Sequence, residues 1–288
     1  MLHSGEDCSY IASPCRDVIL PVRRVTGVIE KGMDALFTLV PPATLILCFG
    51  IAVFAGVVKG MVGFAMPLIL ISGLSSVIDP ELALAGLLFP TILSNFWQAL
   101  RQGVQAALGS LHQFGPFLLV GGVALVLSAQ LVRVIPSQTM FLLIGVPVVV
   151  FTVLQLLGWR PRLDGTQRVK AQLIVGAVAG TLGGFSGTWG PPTVLLLVAL
   201  DTPKLDQVRI QGVLYGLGSI ALILAHVGSG VLRTETLPFA LFTILPSMAG
   251  MALGLWLQDR TPQRLFQRAT LLVLVVAGLN LIRRGIMG

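Results

Sequence analysis

Charged residues are scarce in this chain. Of its 288 residues only 11% are charged and 55% are hydrophobic, and the mean hydropathy is +0.91. A water-soluble domain needs far more charge to cover its surface, so the composition predicts a multi-pass membrane protein. The long apolar runs are continuous rather than alternating, which excludes a transmembrane barrel and predicts an all-α fold.

Motifs for catalysis and metal binding are also missing. The three cysteines, Cys8, Cys15 and Cys48, indicate neither a disulfide framework nor a metal cluster. The sequence contains neither HExxH nor GxxxxGK[ST], which argues against a metalloprotease or an ATPase. No Asp or Glu falls in the middle of an apolar run, so a carboxylate proton relay is poorly supported. We therefore expect no metal, no cofactor and no enzymatic activity.

The basic residues lie in short segments between the apolar runs. The net charge is +7 and the pI is about 10.0. The basic residues are densest at Arg160, Arg162, Arg168 and Lys170. Because Lys and Arg concentrate in cytoplasmic loops, this pattern predicts a cytoplasmic basic linker and no nucleic-acid partner.

One spaced motif occurs twice. GVVKGMVGFAMP at 56–67 and GTLGGFSGTWGP at 180–191 place three glycines and a proline at identical intervals, 124 residues apart. The paired positions are Gly56 and Gly180, Gly60 and Gly184, Gly63 and Gly187, and Pro67 and Pro191. A duplicated membrane protein whose halves each break a helix at the same point is typical of transporters.

The first copy lies in a run that is too long for one straight helix. From Phe37 to Val77 the only charged residue is Lys59, and this run would be about 60 Å long as a helix, against a hydrocarbon thickness of roughly 30 Å. Glycine relaxes φ and proline removes an N–H, so a break is predicted within 56–67. The run at 171–200 indicates a second break. The alternative is that these glycines only allow close helix packing, and packing and a break can coexist.

The remaining helices are predicted at 82–100, 114–131, 137–158, 210–228, 237–257 and 265–282. This gives about eight apolar segments in two duplicated halves, 37–158 and 171–288, joined by the basic linker 159–170. Residues 1–36 form a polar tail without an apolar signal-peptide core, and Met33 is an alternative start.

Two topologies remain open at this stage. If each broken segment crosses the membrane once, each half has four crossings and the repeats are parallel. If each crosses twice, there are ten helices and the repeats are inverted. The basic residues of the tail favour the first topology weakly.

Lys59 is the first candidate for substrate binding. It lies within the first predicted break, next to Gly60. An ammonium group at membrane depth is costly and is a functional candidate by default, and the N–H groups freed at the start of the following helix suit an anion. The alternative is that Lys59 extends to the interface or neutralises a carboxylate.

Two polar stripes follow the breaks. They are Thr91, Asn95 and Gln98 in the first half and Gln211, Tyr215 and Ser219 in the second. Each stripe lies along one side of its helix, and the motif offset relates Thr91 to Tyr215 and Asn95 to Ser219. These side chains either line a central site or only hold helices together, at about 0.6 kcal/mol each.

Each glycine-rich block is followed by a related downstream stretch: GVVKGMVGFAMPLIL by LLFPTILSNFWQALRQG, and GTLGGFSGTWGPPTVLLL by LDTPKLDQVRIQGVLYGLG. Together these stretches resemble the TauE/SafE family of sulfite exporters, also called toluene-sulfonate uptake permeases. The resemblance covers about residues 38–284. It implies a multi-pass carrier of the bacterial inner membrane, built from two repeats, that moves sulfur oxyanions or organosulfonates. By position, Gly60, Gly63, Pro67, Gly184, Gly187 and Pro191 would form the paired breaks.

The chain departs from the family where many members have three consecutive glycines. Met66 and Trp189 lie in these stretches and would crowd the site. We therefore predict a secondary transporter of small anions, namely sulfur oxyanions, organosulfonates or related organic acids, that works by alternating access around the paired breaks. The alternatives are a membrane-embedded assembly factor or enzyme that handles a sulfur or lipid intermediate, and a passive anion channel. The expected partners are a small anionic substrate and the lipid bilayer, with a homo-oligomer left open.

Overall fold

The computed structural model describes residues 36–131, 137–158, 165–186, 190–228 and 232–287, and the regular secondary structure within these ranges is helical. In the first half the helices are α1 (Pro42–Val62), α2 (Met66–Leu74), α3 (Pro80–Leu100), α4 (Val104–Gln113), α5 (Gly115–Leu131) and α6 (Ser137–Leu156). In the second half they are α7 (Gly165–Ser186), α8 (Gly190–Ala199), α9 (Lys204–Gly228), α10 (Leu237–Phe242), α11 (Ile244–Arg260) and α12 (Gln263–Met287). The predicted polar tail falls almost entirely outside the described residues.

Several of these helices are long and apolar enough to cross a membrane. Judged by length and composition, the described residues contain four such spans: Pro42–Val62, Glu81–Leu100, Leu237–Arg260 and Gln263–Met287. The pair α4 and α5, bent by 69° at Phe114, counts as a fifth if it is one span. The chain is therefore an all-helical, multi-pass membrane protein, and the count of about eight segments stays a prediction.

Several helices differ from the predicted ones. The link after α3 contains the unpredicted helix α4, the predicted helix at 237–257 is divided at Thr243, and α9 begins at Lys204 rather than at residue 210. The polar start of α9 is held by tertiary contacts, because Lys204 Nζ donates to the backbone oxygens of three residues at the end of α11. Such contacts have no signature in the apolar pattern.

Four helix pairs make the main contacts: α1 with α11, α5 with α7, α3 with α9, and α6 with α12. On α1, Gly56 lies against Ser247 and Gly60 against Met251, so α1 and α11 run in the same direction. In contrast, Gly212 of α9 lies against Ala99 of α3, while Ser219 further along α9 bonds to the earlier Asn95, so α3 and α9 run in opposite directions.

The helix α2 doubles back along α1. Gly73 near the end of α2 lies against Ile51 in the middle of α1. Leu70 and Leu74 of α2 share a buried apolar cluster with Cys48 and Ala52 of α1. The two helices therefore form a hairpin whose tip is the segment between Val62 and Met66.

Charged side chains join helices at the two ends of the bundle. At one end, which we call the basic end, lie Arg101, Lys204 and Arg209: Arg101 pairs with Asp259 at 2.5 Å, and Arg209 pairs with Asp206 at 2.8 Å. At the opposite end, where α3 begins, Arg233 pairs with Glu81 at 2.8 Å.

Candidate functional site

The first break lies at the tip of the α1–α2 hairpin, inside the predicted segment. Gly63 (φ +89°) and Ala65 (φ +74°) both adopt left-handed backbone conformations, and Pro67 lies in the first turn of α2. A side chain at Gly63 has no space, because a Cβ there would lie 2.0 Å from Gln211 Oε1. The break therefore brings the hairpin tip directly against α9.

Lys59 lies one turn before this break and is buried, with 1% of its surface exposed. Its Nζ donates to Asn95 Oδ1 at 2.5 Å and to Gly63 O at 3.5 Å, and it lies 5.8 Å from the centre of the Tyr215 ring. None of the ion pairs between described residues involves Lys59. The ammonium group is thus surrounded by neutral partners within the described part of the chain.

The two predicted polar stripes meet at Lys59. Asn95 Nδ2 donates to Ser219 Oγ at 2.7 Å, and Ser219 Oγ donates to Tyr215 O at 2.7 Å. Gln98 Nε2 donates to Lys59 O at 3.2 Å. Asn95 and Ser219 are 124 residues apart, which is the offset between the two glycine motifs. Two positions separated by the motif offset are therefore in direct contact.

The second predicted break lies partly outside the described residues. Gly184 lies near the end of α7, Pro191 lies in the first turn of α8, and Gly187 and Trp189 fall in the undescribed segment between them. The start of α8 nevertheless reaches the site, because Tyr215 OH donates to Gly190 O at 3.2 Å.

Sequence reasoning missed two residues at or near this site. Thr193 of α8 forms a side-chain hydrogen bond with Tyr215, and Gln207 is a fully buried glutamine on α9. Gln207 lies one helical turn before Gln211, so extending the predicted stripe by one turn would have found it. Thr193 carries no comparable signal.

Several polar atoms near the site are buried without a hydrogen-bond partner among the described residues. These are Thr91 Oγ1, Gln98 Oε1 and the amide oxygen and nitrogen of both Gln207 and Gln211. Buried polar groups are nearly always satisfied by protein, water or a ligand. This part of the bundle therefore combines the buried cation Lys59 with hydrogen-bonding groups that have spare capacity, an arrangement suited to a small anion.

A family model described as sulfite exporter TauE/SafE matches residues 48–281, most of the chain, and confirms the resemblance seen in the glycine-rich blocks. Comparison with curated proteins and with solved structures returns no significant match.

Proposed function

This chain belongs to the TauE/SafE sulfite exporter family, and from that premise we propose that it is a secondary carrier of small sulfur oxyanions or organosulfonates. The anion binds at Lys59, where α1, α3, α8 and α9 meet. Asn95, Ser219 and Tyr215 position the ammonium group and the substrate. Members of this family are transporters, so an enzymatic role is not proposed.

The observation that carries this proposal is the unpaired charge of Lys59. Removing an ammonium group from water costs several kcal/mol, even after the surrounding protein relaxes. The bond to Asn95 and the face of the Tyr215 ring offset part of this cost. A bound anion would supply the missing opposite charge, so the site gains most from a ligand that carries negative charge.

The packing of the helices supports alternating access. The motif offset relates α1 to α7 and α5 to α11, and accordingly α1 packs against α11 while α7 packs against α5. The other two main contacts, α3 with α9 and α6 with α12, each join a helix to the one related to it by the offset. The motif offset relates α3 to α9, yet these helices run in opposite directions, which supports inverted repeats, the second of the two topologies left open by the sequence. In such carriers the substrate site lies at the interface of the repeats, which here is the Asn95–Ser219 contact.

The charge distribution supports an orientation in the membrane. Arg168 and Lys170 at the start of α7 lie on the same side as Arg101, Lys204 and Arg209, because α7 runs parallel to α5, which begins near Ser110, the partner of Arg209. Basic residues concentrate on the cytoplasmic side of a membrane. The basic end therefore faces the cytoplasm, and we propose the bacterial inner membrane as the location.

The test is uptake by proteoliposomes that contain the purified protein, with radiolabelled sulfite and p-toluenesulfonate as separate probes. Lys59→Met should lower the ratio of the maximal uptake rate to the Michaelis constant by about 30-fold or more, which corresponds to roughly 2 kcal/mol. Lys170→Met is the matched control, since this lysine is exposed on α7. Equal uptake by both variants would refute binding at Lys59.

The same vesicles separate a carrier from a channel. Unlabelled anion on the far side should accelerate uptake of the labelled anion, because a carrier returns faster when it is loaded. A flux that neither saturates nor responds to anion on the far side would overturn the carrier mechanism.

A further inference from the structure

The side-chain amides of two glutamines on α9 have no hydrogen-bond partner among the described residues. Gln207 and Gln211 are fully buried, and neither the oxygen nor the nitrogen of either amide is bonded to another described residue. Each unpaired buried group costs about 1–3 kcal/mol. Amides that only hold helices together make those bonds, so this pair is better explained by a ligand or by water that reaches it.

Their place in the bundle indicates which ligand. Gln211 lies at the first break, where its Oε1 fills the space that a side chain on Gly63 would need. Gln207 lies one turn earlier on the same face of α9, towards Lys204 at the basic end. The two amides therefore form a short polar path from the break beside Lys59 towards the basic end.

The corresponding positions in the other half are apolar. The offset of 124 residues relates Gln207 to Ala83 and Gln211 to Leu87, both on α3. Ala83 and Leu87 are buried in an apolar cluster that also contains Phe239, on the side of the opposite end. Duplication of the fold alone therefore does not explain why polar side chains lie only on the path from Lys59 towards the basic end.

We propose that Gln207 and Gln211 form a second anion-binding subsite, between Lys59 and the basic end, that holds the oxyanion or sulfonate as it passes between Lys59 and the cytoplasm. This inference rests on the proposed function. Two primary amides offer four N–H donors to anionic oxygens and add no charge that would trap the anion.

The contacts at the basic end close this subsite in the present conformation. Arg101 bonds to both carboxylate oxygens of Asp259 and to Gln258 Oε1, which ties α3 to α11. Lys204 ties α9 to the same end of α11. Opening the basic end requires these bonds to break, and this would expose Gln207 first.

The test measures the reactivity of single cysteines towards two reagents of similar size and opposite charge: the anionic sulfonatoethyl and the cationic trimethylammonioethyl methanethiosulfonates. The background chain lacks Cys8, Cys15 and Cys48. The test variants are Gln207→Cys and Gln211→Cys, their matched controls are Ala83→Cys and Leu87→Cys, and the exposed reference is Gln105→Cys. Asp259→Asn removes the ion pair with Arg101 and so weakens the closure of the basic end, and Glu81→Gln is the control at the opposite end.

At both glutamine positions the anionic reagent should be favoured over the cationic one by about tenfold more than at the exposed reference, as expected for a site that concentrates anions. Asp259→Asn should accelerate this labelling and Glu81→Gln should not. Saturating benzenesulfonate should slow it. Ala83→Cys and Leu87→Cys should show no preference for the anionic reagent.

The proposal is overturned if both glutamine positions lack the charge preference or stay unreactive in every background, or if Ala83→Cys and Leu87→Cys show the same preference. Uptake measured with the same variants separates this result from failure of the proposed function. Uptake that depends on Lys59, without charge preference at 207 and 211, removes the second subsite alone. The absence of anion uptake in the unmodified chain removes the carrier itself.

Discussion

Replacing Gly60 by alanine tests the close contact between α1 and α11. A Cβ at Gly60 would lie 2.4 Å from Met251 O and 2.7 Å from Leu255 N. These are backbone atoms, so no side-chain rotation can relieve the clash, and α11 must move away from α1. Overpacking of this kind costs about 1–3 kcal/mol. The parallel pairing of these helices depends on that approach.

Gly50→Ala is the matched control on the same helix, because a Cβ at Gly50 meets no atom within 4 Å. Both substitutions gain roughly 0.5–1 kcal/mol of helix propensity, so the difference between them isolates the contact. We expect Gly60→Ala to unfold at a lower temperature than Gly50→Ala, by about 2–4 °C for each kcal/mol of difference. Circular dichroism of the detergent-purified proteins measures this difference. Equal melting temperatures would show that α1 and α11 are not in contact at Gly60.

Three further predictions concern the site. Asn95→Asp gives Lys59 a carboxylate neighbour of nearly the same shape as the amide. Because this carboxylate supplies the missing negative charge, anion binding measured by titration calorimetry should weaken by about tenfold or more. Unchanged affinity would contradict the role of the unpaired charge. Gly63→Ala should destabilise the protein more than Gly103→Ala, since both glycines have φ +89° but only a Cβ at Gly63 would meet Gln211; equal melting temperatures would refute the contact. Lys59→Met removes a buried charge but leaves the Asn95 oxygen without a donor. Without anion, the free energy of unfolding of this variant should therefore be at most about 1–3 kcal/mol lower than that of the parent. Its melting temperature should no longer rise when benzenesulfonate is added.

The position of the first break could be predicted from the sequence, because the run around Lys59 is too long for one straight helix. The glycines of the motif divide into two roles that the sequence did not separate. Gly56 and Gly60 allow α11 to approach, whereas Gly63 supplies the left-handed turn. Spacing alone does not distinguish these roles, because the contacting backbone of α11 lies in the other half of the chain.

The polar stripes were also visible in the sequence, but their contact was not. Helical spacing placed Asn95 and Ser219 on polar faces, and the motif offset related them to each other. Only the antiparallel arrangement of α3 and α9 brings the two side chains to 2.7 Å. The position of α4 was missed for a similar reason: Arg209 donates to Ser110 Oγ across 99 residues, and no local pattern reports such a bond.

Lys59 has no basic counterpart in the second half. The offset of 124 residues relates it to Gly183, which is buried within α7. If the proposed carrier binds its substrate at Lys59, which is the one buried cation among the described residues, the site neutralises one unit of negative charge per turnover. Stoichiometry therefore favours a monovalent cargo such as a sulfonate, and a divalent anion would leave the loaded carrier negative and its cycle sensitive to the membrane potential.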